Sequence, residues 1–158
     1  MNSRLVRADL LGTLVFVVSL AVAVPFRVHR WAQVVVVVVS LLLFAVGVAS
    51  SLWAYAQALD LSRVKEVGVA NLFLLTGGTA PMPVKRLMSA AWAVQIVAAI
   101  VGASIGMSGL EKSQLNPLGF GVLVPMFGIG MNGAWAARYG SYGPRVDPAS
   151  TPSNGKIG

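Results

Sequence analysis

Residues 34–53 read VVVVVVSLLLFAVGVASSLW, and the reading of this stretch decides the fold. In water six consecutive valines favour a strand, because β-branched side chains fit a pleated surface. In a bilayer that preference is overruled. A helix satisfies its own backbone hydrogen bonds there, and an isolated strand cannot. The stretch carries no charge, and its apolar surroundings run from Ala32 to Ala56. That exceeds the roughly 20 residues a helix needs to cross the hydrocarbon core. The stretch therefore reads as a membrane-spanning helix.

Three further blocks have the same character. They run over about 10–26 (LLGTLVFVVSLAVAVPF), 87–107 (LMSAAWAVQIVAAIVGASIGM) and 118–137 (LGFGVLVPMFGIGMNGAWAA). Composition agrees. The 158 residues are 56% hydrophobic and 11% charged, against about 25% charged in a soluble domain. The sequence thus predicts an all-α integral membrane bundle of four transmembrane helices within 1–143. A tail, 144–158, is rich in Pro, Ser and Gly and is expected to be disordered. Trp31, Trp53, Tyr55, Trp92 and Trp135 fall near span ends, as interfacial aromatics do.

The net charge of +7 lies between the apolar blocks, which favours a topological reading over nucleic-acid binding. Arg4, Arg7, Arg63, Lys65, Lys85, Arg86, Arg138, Arg145 and Lys156 share one side of the four-span arrangement. Arg27, Arg30 and Lys112 share the other. By the positive-inside rule both termini are cytoplasmic. The Arg27–His29–Arg30 turn and the loop GLEKSQLNP then face outward. An alternative is that Arg4, Arg7, an apolar core and Ala21-Val22-Ala23 form a signal peptide with an A-x-A site. Cleavage would leave three spans.

Charged residues are absent from the apolar cores as delimited here. Asp9, Asp60, Glu66 and Glu111 are read at or beyond the span ends. This argues against a proton-coupled transporter, which needs a membrane carboxylate. With no cysteine and one histidine, His29, there is no thiol chemistry and no reactive constellation. No catalytic residue, cofactor or metal is expected.

Small residues form stripes instead. Ala91, Gln95, Ala98, Gly102 and Gly106 share a face of the third span, with Gly102 and Gly106 as a GxxxG pair. Gly121, Pro125, Gly128 and Asn132 share a face of the fourth, with Gly130 and Gly133 towards its other side. Gly12, Phe16, Ser19 and Ala23 line the first span; Ser40, Phe44, Gly47 and Ser51 line the second. Small residues let membrane helices approach closely. Gly102, Gly106, Gly121, Gly128, Asn132 and Gln95 are therefore candidates for helix packing, either within the bundle or against a partner. Gln95 and Asn132 are the amides deep in spans and can bond across helices. Pro125 is expected to kink the fourth span.

The loop between spans two and three contains LFLLTGGTAPMPVKRL, residues 72–87. Its apolar run is too short to span. Leu61, Val64, Val67, Leu72 and Leu75 point to an interfacial helix with one apolar side, ended by Gly77 and Gly78. Pro81 and Pro83 should prevent its resumption, and Lys85 and Arg86 should start the next span at the headgroups. Those two residues are candidates for lipid-headgroup contact or for docking a partner. TGGT lacks the phosphate-loop pattern.

MNSRLVRADLLGT, VPFRVHR, LLTGGTAPMPVKRL and FGVLVPMFGIGMNGAWAARYG together resemble an actinobacterial group of small four-helix membrane proteins, over roughly residues 1–143. The nearest resemblance is to the LucB type of accessory subunit of Mce lipid importers. It implies no catalytic residues. It implies a lateral interface with a larger permease, so the expected partners are membrane lipids and other integral membrane subunits. The expected function is a non-catalytic accessory or stabilising subunit of a lipid or fatty-acid importer. A stand-alone transporter or channel, or a homo-oligomeric structural protein, are the alternatives.

Overall fold

The computed structural model describes residues 4–108 and 116–144. Most of the expected outward loop, with Glu111 and Lys112, and the expected tail beyond Pro144 lie outside them. Among the described residues the regular structure is all helical, with no strand. The elements are α1 (Arg4–Ala23), α2 (Arg30–Leu61), α3 (Val69–Phe73), α4 (Met82–Met107), a 3₁₀ segment (Pro117–Leu123) and α5 (Pro125–Tyr139). Four spans are long and apolar enough to cross a membrane: α1, α2, α4, and the 3₁₀ segment joined to α5. The chain is thus a four-helix bundle of multi-pass membrane type.

Local chemistry sets the boundaries, several of which differ from expectation. α1 begins at Arg4 and stops at Ala23, short of Phe26. Pro25 disfavours helical backbone in the residue before it. α2 has 32 residues, about 48 Å at 1.5 Å per residue, so both ends pass beyond the hydrocarbon core. α4 starts at Met82, with Pro81 as its N-cap and Pro83 in its first turn. Proline is tolerated there because a first-turn N–H has no helical acceptor. The prolines therefore do not hold the helix off until Lys85 and Arg86.

The fourth span changes from 3₁₀ to α-helix, with Pro125 as the first residue of α5. The segment before it is held by Asn116, whose Oδ1 accepts from the Gly119 N–H at 3.1 Å. The Asn116 amide donates to the Ala103 carbonyl at 2.9 Å. The loop segment also differs from the expected amphipathic helix. Only Val69–Phe73 is helical. Gly77 and Gly78 take positive φ, at 62° and 79°, in a turn closed by the Thr79 N–H on the Thr76 carbonyl at 3.2 Å.

The fourth span is the central one. It is 61% buried over its apolar window, against 22–33% for the others, and α1, α2 and α4 all pack on it. Its small residues on two sides serve these three neighbours. The α2–α5 crossing brings backbone to backbone. A Cβ on Gly47 would stand 2.6 Å from the Phe127 N and Cα, and Gly130 lies on the Gly47 carbonyl. Trp135 is buried in this core, 5% exposed, and is not an interfacial aromatic.

Two apolar clusters fill the bundle. One gathers Val6, Ala58, Leu72, Leu75, Met88, Met131 and Trp135, at the end where the two described termini meet. The other gathers Phe16, Leu20, Ala32, Val36, Ala99 and Val124. Between the buried members of these clusters α1 carries Asp9 and Thr13 and α4 carries Gln95, while Gly128 of α5 follows Phe127 of the first cluster.

Candidate functional site: a buried polar layer and a basic end

Asp9, Thr13, Gln95 and Gly128 form one hydrogen-bonded layer. The Gln95 amide donates to Thr13 Oγ1 at 2.7 Å and to Asp9 Oδ1 at 3.5 Å. Its Oε1 accepts from the Gly128 N–H at 3.1 Å. The Thr13 hydroxyl donates to the Asp9 carbonyl at 2.8 Å. Gly128 is the fourth residue of α5, just after the change of helix type at Pro125. Gln95 thus bonds backbone at the start of α5 and ties α1, α4 and α5 together.

Asp9 corrects the sequence reading. It lies within α1 and is 0% exposed, not at a span end. Its Oδ2 has no hydrogen-bond partner among the described residues. A buried polar group without a partner is costly, and an ionisable residue inside a membrane bundle marks function by default. A periodic signal was available. Asp9 stands one helical turn before Thr13 and two before Phe16, on the face continued by Ser19, Leu20 and Ala23.

The predicted packing residues all face inward. Gly102 accommodates Leu20 of α1, Gly121 the ring of Phe16, and Gly128 the side chains of Gln95 and Trp92. Gly106 receives the Asn116 side chain, so the GxxxG pair does not act as one helix-contact surface. Asn132 donates to the Phe73 carbonyl at 3.2 Å, which fastens α3 to α5. Gly47 and Gly130, at the tightest crossing, were not among the site candidates.

The end carrying the described termini is strapped. The Glu66 N–H donates to the Gly143 carbonyl at 3.1 Å, and the Ser141 N–H to the Thr79 carbonyl at 3.0 Å. Lys65 pairs with Pro144 in an isolated antiparallel bridge. Arg4, Arg7, Arg63, Lys65, Arg86 and Arg138 are exposed at this end and Lys85 is half-buried. Exposed apolar residues stand among them, with Val64 and Val69 both at 69%. Burial raises the pKa of the Tyr142 phenol in the same strap.

At the opposite end the Arg27 guanidinium donates through Nη1 to the carbonyls of Ile105 and Ser108, at 3.2 and 3.3 Å. It also donates to Ser108 Oγ at 3.0 Å. Among the described residues no group of three or more His, Cys, Asp or Glu could hold a metal. No family model, curated protein or solved structure matches the chain.

Proposed function

We propose that this chain is a non-catalytic accessory or stabilising subunit of a larger membrane complex. An Mce-type lipid or fatty-acid importer in a bacterial plasma membrane is the specific candidate, with both termini cytoplasmic. The basic end carries this reading. Three separate segments converge there: the 62–81 loop and the 140–144 strap are hydrogen-bonded to each other, and the start of α1 packs beneath them through Leu5 and Val6. That surface mixes exposed cations with exposed apolar side chains, a composition suited to a partner at the headgroup level. The family resemblance supplies the importer as the partner.

The test is a mild-detergent pull-down from native membranes through a C-terminal tag. The expected result is permease and ATPase subunits in fixed ratio, with recovery reduced by Lys85→Glu together with Arg86→Glu. Recovery of the protein alone, as one copy or a few, would overturn the reading and favour a self-contained or homo-oligomeric protein.

Asp9 supports a second reading, a stand-alone transporter or channel, because intramembrane carboxylates line ion and substrate paths. Asp9→Asn separates the two. Loss of a transport phenotype at unchanged protein level, with partner recovery intact, favours the transporter. An unchanged phenotype favours the accessory subunit.

A further inference from the structure

We propose that the groove between α1 and α4 binds one anionic glycerophospholipid, with an acyl chain in the groove and the phosphate on Arg27. The groove has a volume of about 560 Å³ and is lined by Val17, Ala21 and Val24 from α1 and by Val94, Val97 and Val101 from α4. Its depth has a cause in the sequence. Gly102 has no Cβ, and Leu20 drops into that space; a Cβ there would stand 2.7 Å from Leu20 Cδ1. Leu20 is consequently 6% exposed and forms the floor. Ala21 and Ala93 keep the walls low on the two helices.

Arg27 lies three residues beyond Val24, in the turn that follows α1, and Ile105 follows Val101 by one turn of α4. The hydrogen bonds from Arg27 Nη1 to Ile105 and Ser108 therefore lay the guanidinium across the end of the groove. These bonds occupy one terminal nitrogen. The side chain is exposed, and its Nε and Nη2 have no hydrogen-bond partner among the described residues. A guanidinium held in place with donors to spare suits a phosphate, which it can bind through two parallel bonds. Phe26 packs near His29 and Trp31, with ring centroids at 5.8 and 5.5 Å. Such an aromatic group marks the headgroup level. The groove then runs from that level into the hydrocarbon, and Arg27, with Arg30 beside it in sequence, selects for negative charge.

The experiment uses the full chain, delipidated in detergent and analysed by native mass spectrometry. The ligands are phosphatidylglycerol, phosphatidylcholine of the same chains, and glycerol phosphate alone. One phosphatidylglycerol per protein is expected, about fivefold favoured over phosphatidylcholine, which is the factor equivalent to the roughly 1 kcal/mol of one basic residue at an anionic headgroup. Arg27→Gln should abolish the preference and Arg27→Lys should retain part of it. Ala21→Phe with Ala93→Phe, at two exposed positions, should block retention of either lipid. Equal retention of the two lipids by the native chain would overturn the proposal. So would retention that survives the filled groove, or glycerol phosphate binding as tightly as the lipid.

Discussion

The α2–α5 crossing gives a sharp test of the packing. In Gly47→Ala the new Cβ meets the Met126 carbonyl oxygen and the Phe127 N and Cα, each at 2.6 Å. Ordinary van der Waals contact begins at 3.4 Å, so the helices must part by about 0.8 Å. Backbone atoms cannot rotate aside. A gap of 0.5–1 Å forfeits roughly a quarter to a half of each dispersion contact it opens, and overpacking typically costs about 1–3 kcal/mol. Gly102→Ala meets Leu20 Cδ1 at 2.7 Å, a side-chain tip that can turn. Alanine also stabilises each helix by about 1 kcal/mol relative to glycine. That gain is common to both variants, so their difference isolates the contact. The expected net loss is up to about 2 kcal/mol for Gly47→Ala, and Gly102→Ala should be less costly, at about zero or a net gain. Unfolding from mild mixed micelles by titration with dodecyl sulfate, followed by far-UV circular dichroism, measures both. If Gly102→Ala costs as much as Gly47→Ala, the backbone-contact argument fails.

Gln95→Leu leaves the Gly128 N–H and Asp9 Oδ1 without their bonds and should cost about 2–3 kcal/mol in the same titration. Adding Asp9→Leu should recover part of that loss, since removing both partners of a buried bond can be nearly neutral. Asn132→Leu frees the Phe73 carbonyl. It should lower global stability by about 1 kcal/mol or less while speeding deuterium exchange over residues 69–79. Tyr142 holds its proton more tightly folded than unfolded, because burial raises its pKa above the ordinary phenol value of 10.0. Its contribution is therefore complete below that pH and is lost as pH rises through the folded value. The dodecyl sulfate midpoint should fall as pH rises above 10, and Tyr142→Phe should reduce that fall.

The membrane class and the four spans were legible in hydropathy, because a bilayer admits few alternatives to a helix. The ends were less so. Block edges drawn by apolar content put Asp9 outside the first span, although its spacing from Thr13 and Phe16 lies on the buried face. Trp135 was read as interfacial from its place near a span end. Its burial follows from the central position of α5, which no single helix pattern states. The glycine stripes announced close packing, but which neighbour each one meets depends on the arrangement of helices. Gly106 shows this: its space is filled by Asn116, ten residues on, and not by another helix.

Ser40, Ser51, Trp92 and Asn132 each hold a buried polar atom with no partner among the described residues, but Asp9 is the ionisable member of the polar interior. Pro125 starts α5 beside a 3₁₀ segment. Gln95 bonds backbone just after that change, through the Gly128 N–H. Asn132 answers a different need, the end of the five-residue α3, through the Phe73 carbonyl. Thr13 supplies an acceptor for Gln95 and bonds its own helix. Although Asn132 Oδ1 has no partner among the described residues, each of these side chains is accounted for by at least one group that it satisfies within the bundle. Asp9 is not. Its Oδ1 accepts a long second bond from an amide already bonded to Thr13, and its Oδ2 accepts none. An uncharged acceptor would serve the Gln95 amide as well. Packing alone therefore gives no reason for a carboxyl group at this position, and that is why Asp9→Asn, which keeps the shape and removes the charge, divides a structural subunit from a transporter.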